Sequence, residues 1–222
     1  MTKETASEIE TDSSSRVEQI FSALISGLRE GKYVPGQRIR DRDIAEAFGV
    51  SRTPARDAIG RLHSRGLLEV AHGGLAVRTL SPLEVVELYT VRQILEGSAA
   101  RFAAQHASDA DIFAIESRVM AFGEEPDPKG RAKINRHLHR AIRDAAHNSF
   151  LVRTLDELDV ALSLLPGTTY EIADRSKAAY LEHVEILKAI KARDPDAAEA
   201  AARHHIAQAQ QARLSPRLSR PD

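Results

Sequence analysis

Apolar residues recur at helical spacing from early in the chain. Val17, Ile20, Phe21, Leu24 and Leu28 fall on one face of a helix. Ser15 with Glu18 three residues on forms a capping box at its start, and Gly31 ends the run. Residues 1–14 are rich in Glu, Ser and Thr and read as a disordered tail. VPGQR (34–38) is a turn, and a short helix over about 41–48 buries Ile44, Ala45 and Phe48. Gly49 offers the positive φ of a tight turn, and Ser51 is a good N-cap for the next helix. That helix carries Ala55, Ala58, Ile59 and Leu62 on one face, with Thr53, Arg56 and Gly60 on the other and Arg52 at its exposed leading end. Pro54 sits in the first turn, where its missing N–H costs little. LLEVAHGGLAVRTL (67–80) then changes period: two short β-like runs flank His72-Gly73-Gly74, a hairpin turn.

Helix, helix, turn, helix, hairpin is the order of a winged helix-turn-helix, expected over residues 15–79. A linker is expected at 80–84. SPLE (81–84) also starts a helix: Ser81 caps it, Pro82 takes the first position and Glu84 completes a capping box. Only helices follow, over about 82–106, 108–122, 127–147, 149–164, 172–192 and 195–213, broken at GEEPDPKG, PGTT and DP. Leu88, Val91, Ile94 and Leu95 are expected to fill the inward face of the first of them. The fold class is thus mainly α. A winged helix-turn-helix with a small hairpin wing precedes an all-α antiparallel bundle over 85–213, and residues 214–222 form a tail.

The 222 residues suit one large domain or two ordinary ones, and 42% apolar content is ample for cores. The absence of Cys excludes disulfides, thiolate metal sites and cysteine nucleophiles. No apolar run approaches the ~20 residues that span a bilayer. The polar, acidic N-terminus is neither a signal nor a transit peptide. The expectation is a cytoplasmic protein with no membrane partner.

A formal net charge of −1 means that any nucleic-acid role needs a local basic surface. Arg38, Arg40, Arg42, Arg52, Arg56, Arg61 and Arg65 supply one, opposed by Asp41, Asp43, Glu46 and Asp57. In a helix-turn-helix the second helix enters the major groove leading end first. An arginine there can contact guanine bidentately, discriminating by about 1–3 kcal/mol. The alternative is a solvated helix laced with salt bridges, such as Arg56 or Arg61 to Asp57. Turn, cap, hairpin and charge together favour DNA.

Nine histidines are present, and most fall late in the chain. Asn135 and His139 are four apart on one helix face, His183 lies in YLEHVEIL and His205 in RHHIAQA. Three helices could thus aim imidazoles into a bundle core, a usual place for a metal. His137 and His204 point elsewhere on their helices. On the residues alone, histidines satisfied in a core or exposed to solvent are the commoner arrangement. A metal-dependent hydrolase would need an open coordination position and a nearby general base. Glu182 and Glu185 flank His183, but helical geometry turns both away from it, and neither a nucleophile constellation nor a phosphate-cradling glycine loop is present. The chain is therefore not expected to be an enzyme. A sensor acting only through protein contacts would leave the winged helix idle.

GQRIRDRDIAEAFGVSRTPARDAIGRLHSRGLLEV resembles the DNA-binding domain of the GntR family of bacterial transcription regulators. By that resemblance Arg42, Ser51, Arg52, Thr53 and Arg56 carry DNA contacts, with Arg52 and Arg56 on base edges, and His72 and Gly73 form the wing tip that approaches the minor groove or backbone. VRQILEGSAARFAA, NRHLHRAIRDAAHNSFL, EHVEILKAIKARDPDAA and RHHI resemble the FCD ligand-binding domain of the FadR subfamily. Many such domains hold a divalent metal through an Asp and a His four apart plus two later histidines. The matching positions here are Asn135, His139, His183 and His205. Asn135 departs from the family's Asp and brings a dipole where a charge is usual. Three imidazoles and an amide suit Zn or Ni better than Ca, bound more weakly than in an Asp-bearing relative. Arg92 stands where family members can face the cavity and could clamp an effector carboxylate, or pair with Glu96 one turn on. The resemblance implies a ligand-responsive regulator, a repressor in the commonest arrangement, that binds a palindromic double-stranded operator as a homodimer under control of a small carboxylate.

Overall fold

The computed structural model describes residues 3–165 and 167–215, with side chains from residue 15. The chain divides into two compact units, Met1–Leu80 with Asp159–Gly167, and Ser81–Leu158 with Thr168–Asp222.

In the first unit, α1 (Lys3–Arg29) lays Ile20, Phe21, Leu24, Ile25 and Leu28 against α3 (Arg52–Ser64). α2 (Asp41–Phe48) adds Ile44 and Ala45 to the same core, and α3 adds Ala55, Ala58, Ile59 and Leu62, the face its spacing predicts. Gly49 joins α2 to α3 at φ 63°, its N–H returning to carbonyls of α2; only the absence of a Cβ makes that conformation cheap. The sheet comprises β1 (Arg38–Ile39), β2 (Leu68–Ala71) and β3 (Gly74–Val77), antiparallel in the order β1-β3-β2. Leu68 stands opposite Val77, and Arg38 opposite Ala76.

The structure departs from several expectations for this unit. α1 begins at Lys3, so the backbone from residue 3 to 14 is helical where a tail was expected, and Ser15 lies inside a helix instead of capping one. No Gly or Pro interrupts the stretch, and nothing in it stops a helix. Ser51 occupies the N-cap of α3 with extended backbone, but its side chain makes no capping bond. β1 lies at the end of the predicted turn; two residues show no readable alternation. Residues 159–167 also belong to this unit, and Leu164 sits in its core.

The second unit is all helical among the described residues: α4 (Pro82–His106), α5 (Asp109–Glu124), α6 (Pro128–Ala145), α7 (Ser149–Leu162, whose residues from 159 on belong to the first unit), α8 (Arg175–Lys191) and α9 (Pro195–Arg213), with a single 3₁₀ turn at Thr169–Glu171. α4 begins at Pro82, within the span expected as linker, through the predicted Ser81–Glu84 capping box. α4 packs against α9, α6 and α8, while α5 packs against α6 and α8. α4 and α9 approach closely: a Cβ at Gly97 would stand 2.8 Å from Arg203 Cγ. Residues 216–222 lie outside the described residues, so most of the expected 214–222 tail does too.

The inward face of α4 is not the apolar stripe Leu88, Val91, Ile94 and Leu95. Val91 and Ile94 are 46% and 47% exposed. The buried face is Val85, Tyr89, Arg92, Glu96, Ala99, Ala100 and Ala103. It shares the helical period but mixes small residues with charges. Periodicity read from hydrophobicity alone chose the wrong side.

Candidate functional site

The winged helix gathers its arginines at one place. Arg42, Ser51, Arg52, Thr53, Arg56, His72 and Gly73 are all exposed. A cleft of about 280 Å³ separates α3 from the wing, lined by Arg38, Arg40, Asp41, Arg56, Gly73 and Gly74. Arg38 reaches under the hairpin tip: its guanidinium nitrogens stand 3.1 Å from where a Cβ at Gly73 would sit, and Gly73 has φ 82°. The positive φ favours glycine there, whereas the guanidinium is the end of a flexible chain that could yield. Arg52 donates from Nε and Nη2 to the Asp41 carboxylate at 2.9–3.2 Å, and Arg56 Nη2 approaches the same carboxylate at 3.5 Å. The Arg52 hydrogen bond is the main reason the Asp41 carboxyl ionises more readily than usual. Both arginine side chains remain open to solvent, 64% and 71% exposed. The salt bridge foreseen for Arg56 or Arg61 with Asp57 is replaced by these pairs and by Arg61–Glu18.

In the helical unit, His139 of α6, His183 of α8 and His205 of α9 converge. His139 Nε2 lies 3.2 Å from His205 Nε2, and His183 Nε2 lies 3.3 Å from that same atom. All three side chains are buried. His139 Nδ1 meets Glu96 at 3.3 Å, and His205 Nδ1 meets Glu182 at 2.6 Å. A carboxylate on Nδ1 fixes the proton there, so the Nε2 lone pairs of His139 and His205 face each other. Lone pairs so placed repel unless a proton or a metal cation lies between them. Asn135, one turn before His139, has a buried Oδ1 with no hydrogen-bond partner. The three imidazoles, each offering a nitrogen within 4.8 Å of the others, form a donor set that could hold a divalent metal ion. His137 and His204 are exposed.

The charges around the imidazoles are buried as well. Arg143 Nη2 meets Glu96 Oε1 at 2.6 Å, with side chains 1% and 2% exposed. Arg175 grips Glu182 through both Nη atoms at 2.9 Å. Burial opposes ionisation of Glu96, yet His139, Arg143 and Arg92 hold its carboxyl well below the usual range. Glu182 behaves alike: His205 and Arg175 outweigh its burial. Burial disfavours the imidazolium of His183 and lowers that of His205 to about 4. Both rings are therefore neutral at pH 7, the form that ligates. Arg92 is buried; its Nε lies 3.5 Å from Glu96 Oε1 and its guanidinium 5.6 Å from the Tyr89 ring centre. It thus faces inward and pairs with Glu96 at once. A cavity of about 600 Å³ between α5, α6 and α8 is bounded by Phe122, whose ring packs edge-on against His183.

Family models match the chain twice: "Bacterial regulatory proteins, gntR family" over residues 16–76, and "FCD domain" over residues 87–208. The chain belongs to the GntR family of bacterial regulatory proteins. With its FCD domain this GntR-family chain has the FadR-like pairing of units. It is 30% identical over 192 residues to the "Probable D-xylose utilization operon transcriptional repressor" of Paenarthrobacter nicotinovorans, covering 85% of this chain and 84% of the relative. It is also 30% identical over 216 residues to the "Glc operon transcriptional activator" of Escherichia coli K12, with the same coverage. The fold is shared with E. coli McbR/YncC at a TM-score of 0.75 and 24% identity, covering 88% of this chain and 93% of that one. Family and relatives are transcription regulators.

In this GntR-family chain sequence reasoning missed Arg143 and Arg175, named Glu96 only as a partner for Arg92 and set Glu182 aside. A signal existed for two of them. Arg143 continues the Asn135–His139 face one more turn, and Glu96 interrupts an Ala-rich face of α4. Glu182 does turn away from His183 on α8, but that turn brings it to His205 on α9.

Proposed function

We propose that the chain is a ligand-responsive repressor that binds a palindromic operator as a homodimer and answers to a small carboxylate held at a metal centre. The observation that carries this reading is the exposure of Arg52 and Arg56 at the leading end of α3, inside a matched GntR unit. Two such ends related by a two-fold axis suit two half-sites. An unpartnered apolar stripe on α4 supports pairing: Leu83, Val86, Val91 and Ile94 are all exposed along one side of the helix. An isologous contact would cover it in both copies.

His139, His183, His205 and Asn135 would hold the ion. When bound, it would supply a Lewis-acidic anchor for a carboxylate oxygen and the positive charge that Asn135 leaves unbalanced. Arg92 would take the carboxylate's other oxygen, supported by its burial beside Glu96. An effector shifts the DNA-binding equilibrium only through different affinity for the two arrangements of the dimer.

The test is retention of the full chain on duplex DNA over a salt series, with and without zinc and a panel of small carboxylates. The expected result is retention that falls linearly in log–log form with salt and is reversed by one carboxylate only when zinc is present. Retention independent of salt would remove the DNA reading, and reversal independent of zinc would remove the metal centre.

Asn135→Asp should bind zinc more tightly than the unsubstituted protein once both are chelator-stripped, by about tenfold, since an anionic ligand replaces a dipole. Competition against a chromophoric chelator measures it. Equal or tighter binding by the unsubstituted chain would overturn the charge argument.

A further inference from the structure

Asp41 is an acidic residue in the middle of a face that would meet phosphates. Charge alone makes it a liability there, because it repels the polyanion. Its contacts give it another use. The carboxylate accepts Nε–H through Oδ2 and meets Nη2 with both oxygens, Oδ2 at 2.9 Å and Oδ1 at 3.0 Å, holding the guanidinium along its Nε–Nη2 edge. A guanidinium carries five N–H donors in a fixed fork. One Nη1 hydrogen and the second Nη2 hydrogen form the end edge, and the other Nη1 hydrogen points back toward Cδ. That edge presents two parallel N–H vectors, the pattern that guanine O6 and N7 accept in the major groove. Arg56 approaches the same carboxylate from one turn further along α3. Asp41 itself is fixed at the start of α2, where its Oδ1 accepts the N–H of Arg42.

We propose that Asp41 is a buttress that aims Arg52, and secondarily Arg56, at guanine, so that an α2 residue contacting no base sets base specificity. This rests on α3 entering duplex DNA. An unbraced arginine spreads over many rotamers and reaches phosphates as readily as bases. The brace removes that freedom before binding. Asp41 thus trades general affinity for DNA against discrimination among sequences.

The probe is a duplex enriched from a randomised library by the unsubstituted full-length protein, compared with versions in which each guanine is replaced and with an unrelated duplex of equal length. Asp41→Asn should lower the ratio of affinities for the enriched and guanine-replaced duplexes on the order of tenfold. Affinity for the unrelated duplex should hold or rise, because a negative charge has left the face. Asp41→Glu, which keeps the carboxylate, should restore most of the ratio. A merely structural role at the start of α2 would weaken all duplexes together. An unchanged ratio in Asp41→Asn, or an equal loss on every duplex, overturns the buttress while leaving DNA binding intact. Failure of the unsubstituted chain to enrich any duplex overturns the DNA reading and the buttress with it.

Discussion

Arg143→Met should destabilise the helical unit by about 3–5 kcal/mol, the cost of leaving one member of a buried ion pair alone. Methionine keeps much of the volume and packs as an apolar chain, so the loss is mainly electrostatic. Glu96 would keep His139 at 3.3 Å and Arg92 Nε at 3.5 Å, but would lose the 2.6 Å partner. A carboxylate in that position takes up a proton instead of staying charged. The accompanying signature is a rise in the Glu96 pKa, from well below the usual range toward neutrality. The sign then follows. With Arg143 present, the stability Glu96 contributes is full above its unfolded pKa and is lost as pH falls through its lowered folded value. Without Arg143, a folded pKa raised above the unfolded one reverses the sign: the variant is least stable at neutral pH and gains stability as pH falls and Glu96 takes up its proton. Denaturant unfolding of the metal-free protein at two pH values measures both effects. The triple variant Glu96→Leu with Arg143→Met and Arg92→Met should recover much of the loss, since removing Glu96 together with both of its arginines leaves no buried charge of that group unpaired. A single variant within about 1 kcal/mol of the unsubstituted protein would show the pair to be solvated.

The same pair explains what could and could not be read from the sequence. The winged helix was legible because its core obeys simple periodicity: Ala55, Ala58, Ile59 and Leu62 are apolar and buried. Gly49 does what a glycine between two helices must do. In the helical unit the rule inverts. α4 hides Arg92 and Glu96 and exposes Val91 and Ile94, so apolar spacing points to the wrong face. A buried polar centre is stable only when every charge in it has a partner. Glu96 is one turn from Arg92 and was legible as its partner, but Arg143 and His139 reach Glu96 from α6, beyond any local window. The imidazole positions were nevertheless legible, because one residue on each of three helices matched a family pattern. Their carboxylates were not, since Glu96 and Glu182 act through Nδ1 and never appear in a ligand motif. The missed strand and the early start of α1 belong to a different class, where two residues or a polar helix carry no hydrophobic signature.

The arginine pair on α3 should show the largest effect on DNA. Arg52→Ala and Arg56→Ala each remove one fork, worth about 1–3 kcal/mol of discrimination if bidentate to guanine. Together they should lower affinity for the enriched duplex on the order of a hundredfold or more, a loss of at least about 2.7 kcal/mol. The salt slope should fall only slightly, by about one unit for any arginine that also touches phosphate. Both side chains are exposed and lie off the apolar core, so the melting temperature should not move. The two losses should not add. Arg52 and Arg56 share Asp41, and removing either leaves the carboxylate to the other. Arg56→Ala alone therefore tightens the grip on Arg52 and costs less than Arg52→Ala alone, which strips Arg56 of little because its own contact is 3.5 Å long. Arg101→Ala, on α4 and paired with Asp196, serves as the control and should leave retention unchanged. Equilibrium titration on the enriched duplex at several salt concentrations gives affinities and slopes in one series. Retention by the double variant equal to that of the unsubstituted chain would mean that α3 does not read DNA, whatever its resemblance to helices that do.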